Sequence, residues 1–262
     1  MLRSRFIPCL LIHKGGLVKT QRFKSPKYVG DPINAIKIFN EKKADELLVL
    51  DIDATANGVE PNYALIAKFA AECRMPVCYG GGIATAEQAL RIIDLGVEKV
   101  AISAAAIENP NLLTEIAHTI GRQSVVAVLD VSKKIGLFSK GYEVCTNNGK
   151  AMHNLDPATL AKTLQDAGAG EIVINSVDRD GEMKGYDLML AQQIRGVLSV
   201  PMTVLGGAGS LSDIGALIRA CGVVGVGVGS LFVFKGKYRA VLINYPTIEQ
   251  RDEIFRDTNV QQ

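Results

Sequence analysis

The sequence lacks a charge excess: 29 lysines and arginines stand against 27 aspartates and glutamates in 262 residues, a net charge of +2. Without a basic surplus, nucleic acid is not expected as the main partner. It also lacks any apolar run near the ~20 residues of a membrane-spanning helix. The short run Ile7 to Ile12 contains Pro8, ends at His13-Lys14 and has no small-residue cleavage site after it, so neither a membrane span nor a secretory leader is expected. Cysteines are few and odd in number: Cys9, Cys73, Cys78, Cys145 and Cys221 are scattered and never in C-x-x-C spacing. That usage is expected of reduced core residues in a cytoplasmic protein. His13, His118 and His153 have no carboxylate or thiol at metal-ligand spacing, so no metal and no cofactor are expected. The absence of G-x-S-x-G, of a Walker loop and of G-x-G-x-x-G after the first strand speaks against nucleophile-elbow hydrolases and dinucleotide enzymes.

What is present is a rhythm. Hydrophobic residues make up 48% of the chain, enough for a large core, and charged residues 21%, so disorder is not expected. Nearly continuous β-branched runs predict strands over Arg5–Ile12, Glu46–Asp51, Pro76–Tyr79, Lys99–Ser103, Ser124–Val131, Glu171–Ser176, Met202–Leu205 and Val223–Val228. Between them amphipathic stretches predict helices over Pro32–Lys43, Asn62–Cys73, Ala86–Leu95, Asn111–Ile120, Pro157–Ala167, Leu188–Val197 and Asp213–Ala220. Asp31-Pro32 and Asp156-Pro157 read as an N-cap followed by proline in the first turn. Strands alternating with helices give an α/β fold, a single (β/α)8 TIM barrel over residues 1–262.

The two halves, about 1–122 and 123–250, repeat one another. Tyr79-Gly80-Gly81-Gly82-Ile83 returns about 126 residues later as Leu205-Gly206-Gly207-Ala208-Gly209, and Ile102-Ser103-Ala104 returns as Val228-Gly229-Ser230. Two connections are long, His13 to Gly30 and Ser132 to Asn154. The second, with Asn147-Asn148-Gly149, reads as a hairpin over the barrel mouth, where barrel active sites are built.

The glycine pairs end strands, so backbone amides there approach an anion closely, and two such places suit a substrate phosphorylated at both ends; the bland alternative is a tight turn. Asp130 ends a buried strand at the mouth, where a carboxylate is costly unless hydrogen-bonded or used as a proton carrier; the alternative is a loop cap. Asp51, Asp53, Asp178 and Asp180 follow strands 2 and 6, some of them making turns, and Lys19 is either a phosphate ligand or a solvated lysine. Arg5, Glu46, Lys99 and Glu171 open strands 1, 2, 4 and 6 with alternating sign, and composition alone favours ordinary rim ion pairs.

Arg5-Phe6-Ile7-Pro8-Cys9-Leu10, Gly30-Asp31-Pro32, Tyr79-Gly80-Gly81-Gly82-Ile83, Glu108-Asn109-Pro110, Asp178-Arg179-Asp180-Gly181 and Gly206-Gly207-Ala208-Gly209 together resemble the cyclase subunit family of imidazole glycerol phosphate synthase, over nearly the whole chain. The resemblance implies a glutaminase subunit docked on the N-terminal face, whose ammonia passes a gate of four charged residues and crosses the barrel. Arg5, Glu46, Lys99 and Glu171 fall on the gate positions, which turns the expectation from rim pairs to an inward ring. It further implies that Gly81, Gly82, Ser103, Asp180, Gly181, Gly206, Gly207, Gly229 and Ser230 belong to substrate- and phosphate-binding loops, with Lys19 near the substrate.

Cyclisation in that family uses two aspartates. Asp130 matches the second, but Leu11 occupies the first, and a lost proton carrier costs roughly 10²–10⁴ in rate. Ser103, Ala104, Asn175 and Leu205 also depart from the family pattern nearby. The docking end reads as kept and the substrate end as rewritten. That pattern is similar to a divergent branch linked to acetamidino-sugar formation in lipopolysaccharide and other surface glycans, in which barrel and glutaminase supply ammonia to a separate sugar amidotransferase. The alternatives are a working cyclase of histidine biosynthesis, converting phosphoribulosyl formimino carboxamide ribotide to imidazole glycerol phosphate and AICAR; a sugar-phosphate isomerase; and a conduit without chemistry.

Overall fold

Eight apolar segments form strands buried on both faces: β1 (Arg5–His13), β2 (Leu47–Asp51), β3 (Val77–Gly80), β4 (Lys99–Ile102), β5 (Val125–Lys133), β6 (Glu171–Ser176), β7 (Met202–Leu205) and β8 (Gly225–Val228). In this computed structural model, which describes residues 3–134 and 141–258, each pairs in parallel with the next and β8 pairs with β1, closing a (β/α)8 barrel. Alternate residues of each strand divide two cores. Phe6, Leu10, Val49, Ile102, Leu129 and Ile174 face the helices, whereas Ile7, Cys9, Leu48, Cys78, Val126, Val128, Val173 and Leu205 fill the lumen.

The longer helices among the described residues are α1 (Pro32–Glu41), α2 (Tyr63–Glu72), α3 (Ala86–Asp94), α4 (Asn111–Ile120), α5 (Pro157–Asp166), α6 (Leu188–Arg195), α7 (Leu211–Cys221) and α8 (Ile248–Asp257). Both expected aspartate caps form: Asp31 accepts from Asn34 N at 2.9 Å and Asp156 from Thr159 N at 2.8 Å. The sequence reading stops short of α8, because only Arg251 and Ile254 of its ten residues are buried and the apolar stripe is too thin to register. Its signal is the capping box of Thr247 and Gln250.

The stretch after β1 is not a loop. Lys14 and Gly15 both adopt positive φ, +50° and +75°, and turn the chain so that Gly16–Gln21 pairs antiparallel with β1 and Lys24–Gly30 with Gly16–Gln21. The expected second hairpin is present: β5 pairs antiparallel with Tyr142–Thr146, and that strand with Ala151–His153. At its tip Asn148 Nδ2 donates to Ile52 O at 2.9 Å, so this hairpin crosses the mouth from strand 5 to strand 2. No helix among the described residues is long and apolar enough to cross a membrane.

Candidate active site

At the N-terminal end the four charges at the strand beginnings turn inward and close a ring. Arg5 pairs with Glu46 and with Glu171, the latter at 2.8 Å; Lys99 Nζ lies 2.8 Å from Glu46 and 2.9 Å from Glu171. Both glutamates are buried. Rim pairs, which composition alone favours, would splay into solvent; these side chains instead follow the inward alternation of their strands. Burial pushes Glu171 up, but Lys99 and Arg5 outweigh it and hold the carboxyl below its usual range. Burial likewise pulls Lys99 down, and Glu171 and Glu46 reverse that. Glu171 and Lys99 are therefore each held toward their charged forms. Thr203 Oγ1 adds a bond to Glu171 at 2.6 Å.

Above the ring the lumen is apolar and thiol-lined. A small cavity touches Glu46 and Glu171 below and Ile7, Leu48, Cys78, Val126 and Val173 above. Burial pushes the Cys78 thiol well up and the Cys9 thiol to about 11, so both remain neutral. Between the ring and the mouth the lumen packs Ile7, Cys9, Leu48, Cys78, Ala101, Val126, Val128, Val173 and Leu205.

At the mouth the register of β5 and β6 sets Asn175 beside Asp130, and Asn175 Nδ2 donates to Asp130 Oδ1 at 3.0 Å. Burial raises the Asp130 carboxyl to about 7 against the lowering effect of that bond. A group poised there is suited to proton transfer near neutrality. We expect Asn175→Val to shift Asp130 higher still, because the variant removes a donor to the charged form. Carbon-13 NMR of the aspartate carboxyl groups across pH 4–9 checks this, and an unmoved or lower midpoint contradicts it.

Leu11, across the barrel on β1, packs against the lumen cluster and also lines the main cleft. That cleft gathers Cys9, Leu11, Lys19, Phe23, Asn175, Asp180, Gly181, Leu205, Gly206, Gly207, Gly229 and Ser230. Lys19 is buried and donates to Cys9 O, and burial pulls its ammonium down. Asp180 accepts from Thr20 Oγ1 at 2.7 Å and from Phe23 N at 3.2 Å, so it anchors the first hairpin to the turn after β6. Gly207 has φ +116°, and a side chain there would collide with Gly185 O. Of the residues expected in phosphate loops, Gly81, Gly82 and Ser103 do not line this cleft.

Sequence reasoning passed over Phe23, which carries no motif, and the pairing of His13 with Asp53, which emerges only from packing. His13 Nδ1 lies 2.7 Å from Asp53 Oδ1, and Asp53 Oδ2 also accepts from Lys14 N at 2.7 Å, knitting the base of the first hairpin to the turn after β2.

The family model "His_biosynth: Histidine biosynthesis protein" matches residues 5–239. The "Putative imidazole glycerol phosphate synthase subunit hisF3" of Vibrio vulnificus is 55% identical over 96% of each chain. The "Putative imidazole glycerol phosphate synthase subunit HisF" of Leptospira interrogans is 52% identical over 97% of this chain and 100% of its own length. The "Imidazole glycerol phosphate synthase subunit HisF" of Lactococcus lactis is 38% identical over 82% of each. With the matched model spanning the barrel and these relatives aligned along nearly all of it, the chain belongs to the histidine biosynthesis protein family, among its HisF-type subunits.

Proposed function

We propose that this chain is the synthase subunit of a cytoplasmic glutamine amidotransferase complex, that it receives ammonia through its barrel from a glutaminase on the N-terminal face, and that its mouth has left standard cyclase chemistry. The nitrogen is destined for acetamidino-sugar formation in surface polysaccharide, with a sugar amidotransferase as the further partner. Arg5, Glu46, Lys99 and Glu171 are the gate; Lys19, Asp180, Gly181, Gly206, Gly207, Gly229 and Ser230 hold a phosphorylated ligand; Asp130 is the remaining proton carrier.

The observation that carries the reading is Leu11. It stands in the cleft where the family pairs a second acid with Asp130, and the nearby carboxylates are committed elsewhere. Asp180 anchors the first hairpin, Asp51 caps the turn after β2 through the amides of Asp53 and Ala54, and Asp53 holds His13.

The test is genetic and biochemical together. Expressed in a strain lacking its own cyclase subunit, the chain is expected to give no growth without histidine, and to co-purify with a glutaminase whose glutamine hydrolysis it raises. Robust rescue would establish a working histidine-pathway cyclase, the second reading, which the position of Asp130 near 7 favours. Failure to retain any glutaminase would remove both in favour of an ammonia-independent isomerase.

A further inference from the structure

The ladder between β1 and β2 begins late. Its first pair is Cys9 with Leu48, and it runs to Ile12 with Asp51. Carried back along the strands, the same register sets Phe6 beside Asp45, before the first ladder pair. Arg5 and Glu46, two members of the charged ring, are the chain neighbours of that pair. The amide and carbonyl of Phe6 need partners here, and the neighbouring backbone does not supply them.

Side chains do. Phe6 N donates to Asp45 Oδ2 at 2.9 Å. Tyr245 OH donates to Phe6 O at 2.9 Å and accepts from Asp45 N at 3.1 Å. One carboxylate and one hydroxyl thus stand in for the missing rungs. Tyr245 is buried, with its ring centroid 5.1 Å from that of Phe232 and 6.5 Å from that of Phe39. Burial pushes its hydroxyl above the ordinary range, so it keeps the proton that it donates.

Asp45 is itself held from α8. Arg251 Nη1 lies 2.6 Å from Asp45 Oδ1, which leaves Oδ2 to Phe6. Arg251 and Ile254 are the two buried residues of that helix. A buried arginine is costly unless paired, so the bond to Asp45 is what keeps it there. The grip is not a fork. Arg251 Nε has no hydrogen-bond partner among the described residues, and Cζ stands 5.4 Å from the centre of the Tyr245 ring.

Within the ring Arg5 has the greatest need of support. Its side chain is 31% exposed, against 18% for Lys99 and 6% for each glutamate. A partly solvated arginine pairs weakly unless its geometry is fixed. Here the next residue is pinned at both of its backbone polar groups. Tyr245 and Arg251 lie beyond residue 239, where the matched family segment ends, so a part of the chain outside that match supplies the brace.

We propose that Arg251 and Tyr245 are positioning residues of the ammonia gate: through Asp45 and Phe6 they hold the beginnings of β1 and β2 so that Arg5 stays between Glu46 and Glu171. The functional part of this rests on the reading of the ring as a gate; the bracing of Arg5 does not.

Nitrogen-15 NMR of the arginine side chains in the full chain tests it. Arg5→Lys identifies the Arg5 guanidinium signals by removing them. In the wild type at pH 7 they should be resolved and slow to exchange with water. Arg251→Met should speed that exchange about 10-fold or more, as the loss of a charge-assisted bond predicts. Tyr245→Phe keeps the ring, removes only the hydroxyl, and should speed it about 5-fold or more; it carries the test if Arg251→Met does not fold. Arg251→Lys restores the cation and should return most of the protection, because the native contact uses a single nitrogen. Ile254→Ala trims an apolar side chain of the same helix and should leave Arg5 exchange within about 2-fold of wild type. Exchange unmoved in Arg251→Met and Tyr245→Phe would overturn the proposal. So would an equal acceleration by Ile254→Ala, which would mean that α8 acts only through general stability, or a lysine variant no better than methionine. The chain is measured without a glutaminase, so this outcome and glutaminase retention are scored separately.

Discussion

Glu171→Ala is expected to lower the unfolding free energy by about 3–5 kcal/mol, equivalent to a Tm lower by roughly 10 °C. Three donors converge on this carboxylate: Arg5 at 2.8 Å, Lys99 at 2.9 Å and Thr203 at 2.6 Å. Removing it leaves two cations facing one glutamate at the end of an apolar lumen, and most of the cost is that uncompensated charge rather than the worth of any one pair. Glu171→Gln keeps the shape and the Thr203 bond and should cost less. The pH dependence has a definite sign. The folded-state value of Glu171 lies below its ordinary one, so its contribution is fully present above the usual carboxylate range and is lost as pH falls through the depressed value. The gap between wild type and Glu171→Ala should therefore be widest near pH 7 and narrow in acid. Urea unfolding of both proteins at pH 7 and pH 4 measures it. A difference under about 1 kcal/mol at pH 7 would mean that the ring is no more than a set of exposed rim pairs.

Asp130→Asn should lower turnover of the acceptor by the glutaminase complex roughly 10²- to 10⁴-fold while leaving phosphate affinity almost unchanged. The wild-type rate profile should inflect near pH 7, the position to which burial raises this carboxyl, and the variant should lack that inflection. The same substitution should make the protein more stable in base. An aspartate whose folded value exceeds its unfolded one binds its proton more tightly when folded, so stability falls as pH rises from about 4 to about 7. The asparagine variant escapes that loss. Its Tm should exceed the wild-type value at pH 8 and match it near pH 3, as calorimetry would record. Unchanged complex turnover in Asp130→Asn would mark the barrel as a conduit without chemistry at its mouth.

The barrel was readable because burial on both faces writes itself as unbroken Val/Ile/Leu runs, as in Val125-Val126-Ala127-Val128-Leu129, and because Asp31-Pro32 and Asp156-Pro157 announce helix starts. The first hairpin escaped notice because its outer strand, Lys24–Gly30, is exposed at five of seven positions and has no alternation to detect. The inward turn of Arg5, Glu46, Lys99 and Glu171 depends on strand phase, which composition does not carry; their alternating sign was visible, their geometry was not. Asp130 could be singled out as an acid ending an apolar run, but its coupling to Asn175 needed the register of two strands 45 residues apart. The close packing of Gly82 against Val59 O and of Gly207 against Gly185 O lies further still from the linear text, since each depends on a turn folding back over the strand end.

Cys9, Leu11 and Leu205 belong at once to the packed lumen and to the lining of the cleft. They form a thin septum between the two compartments. An acid in the middle of such a wall would draw water into it and let protons equilibrate across; a leucine keeps it dry. One substitution at this position therefore alters two properties together, the chemistry available on the upper side and the wetness of the passage from below. A small neutral molecule crossing this wall passes apolar side chains and the Cys9 thiol.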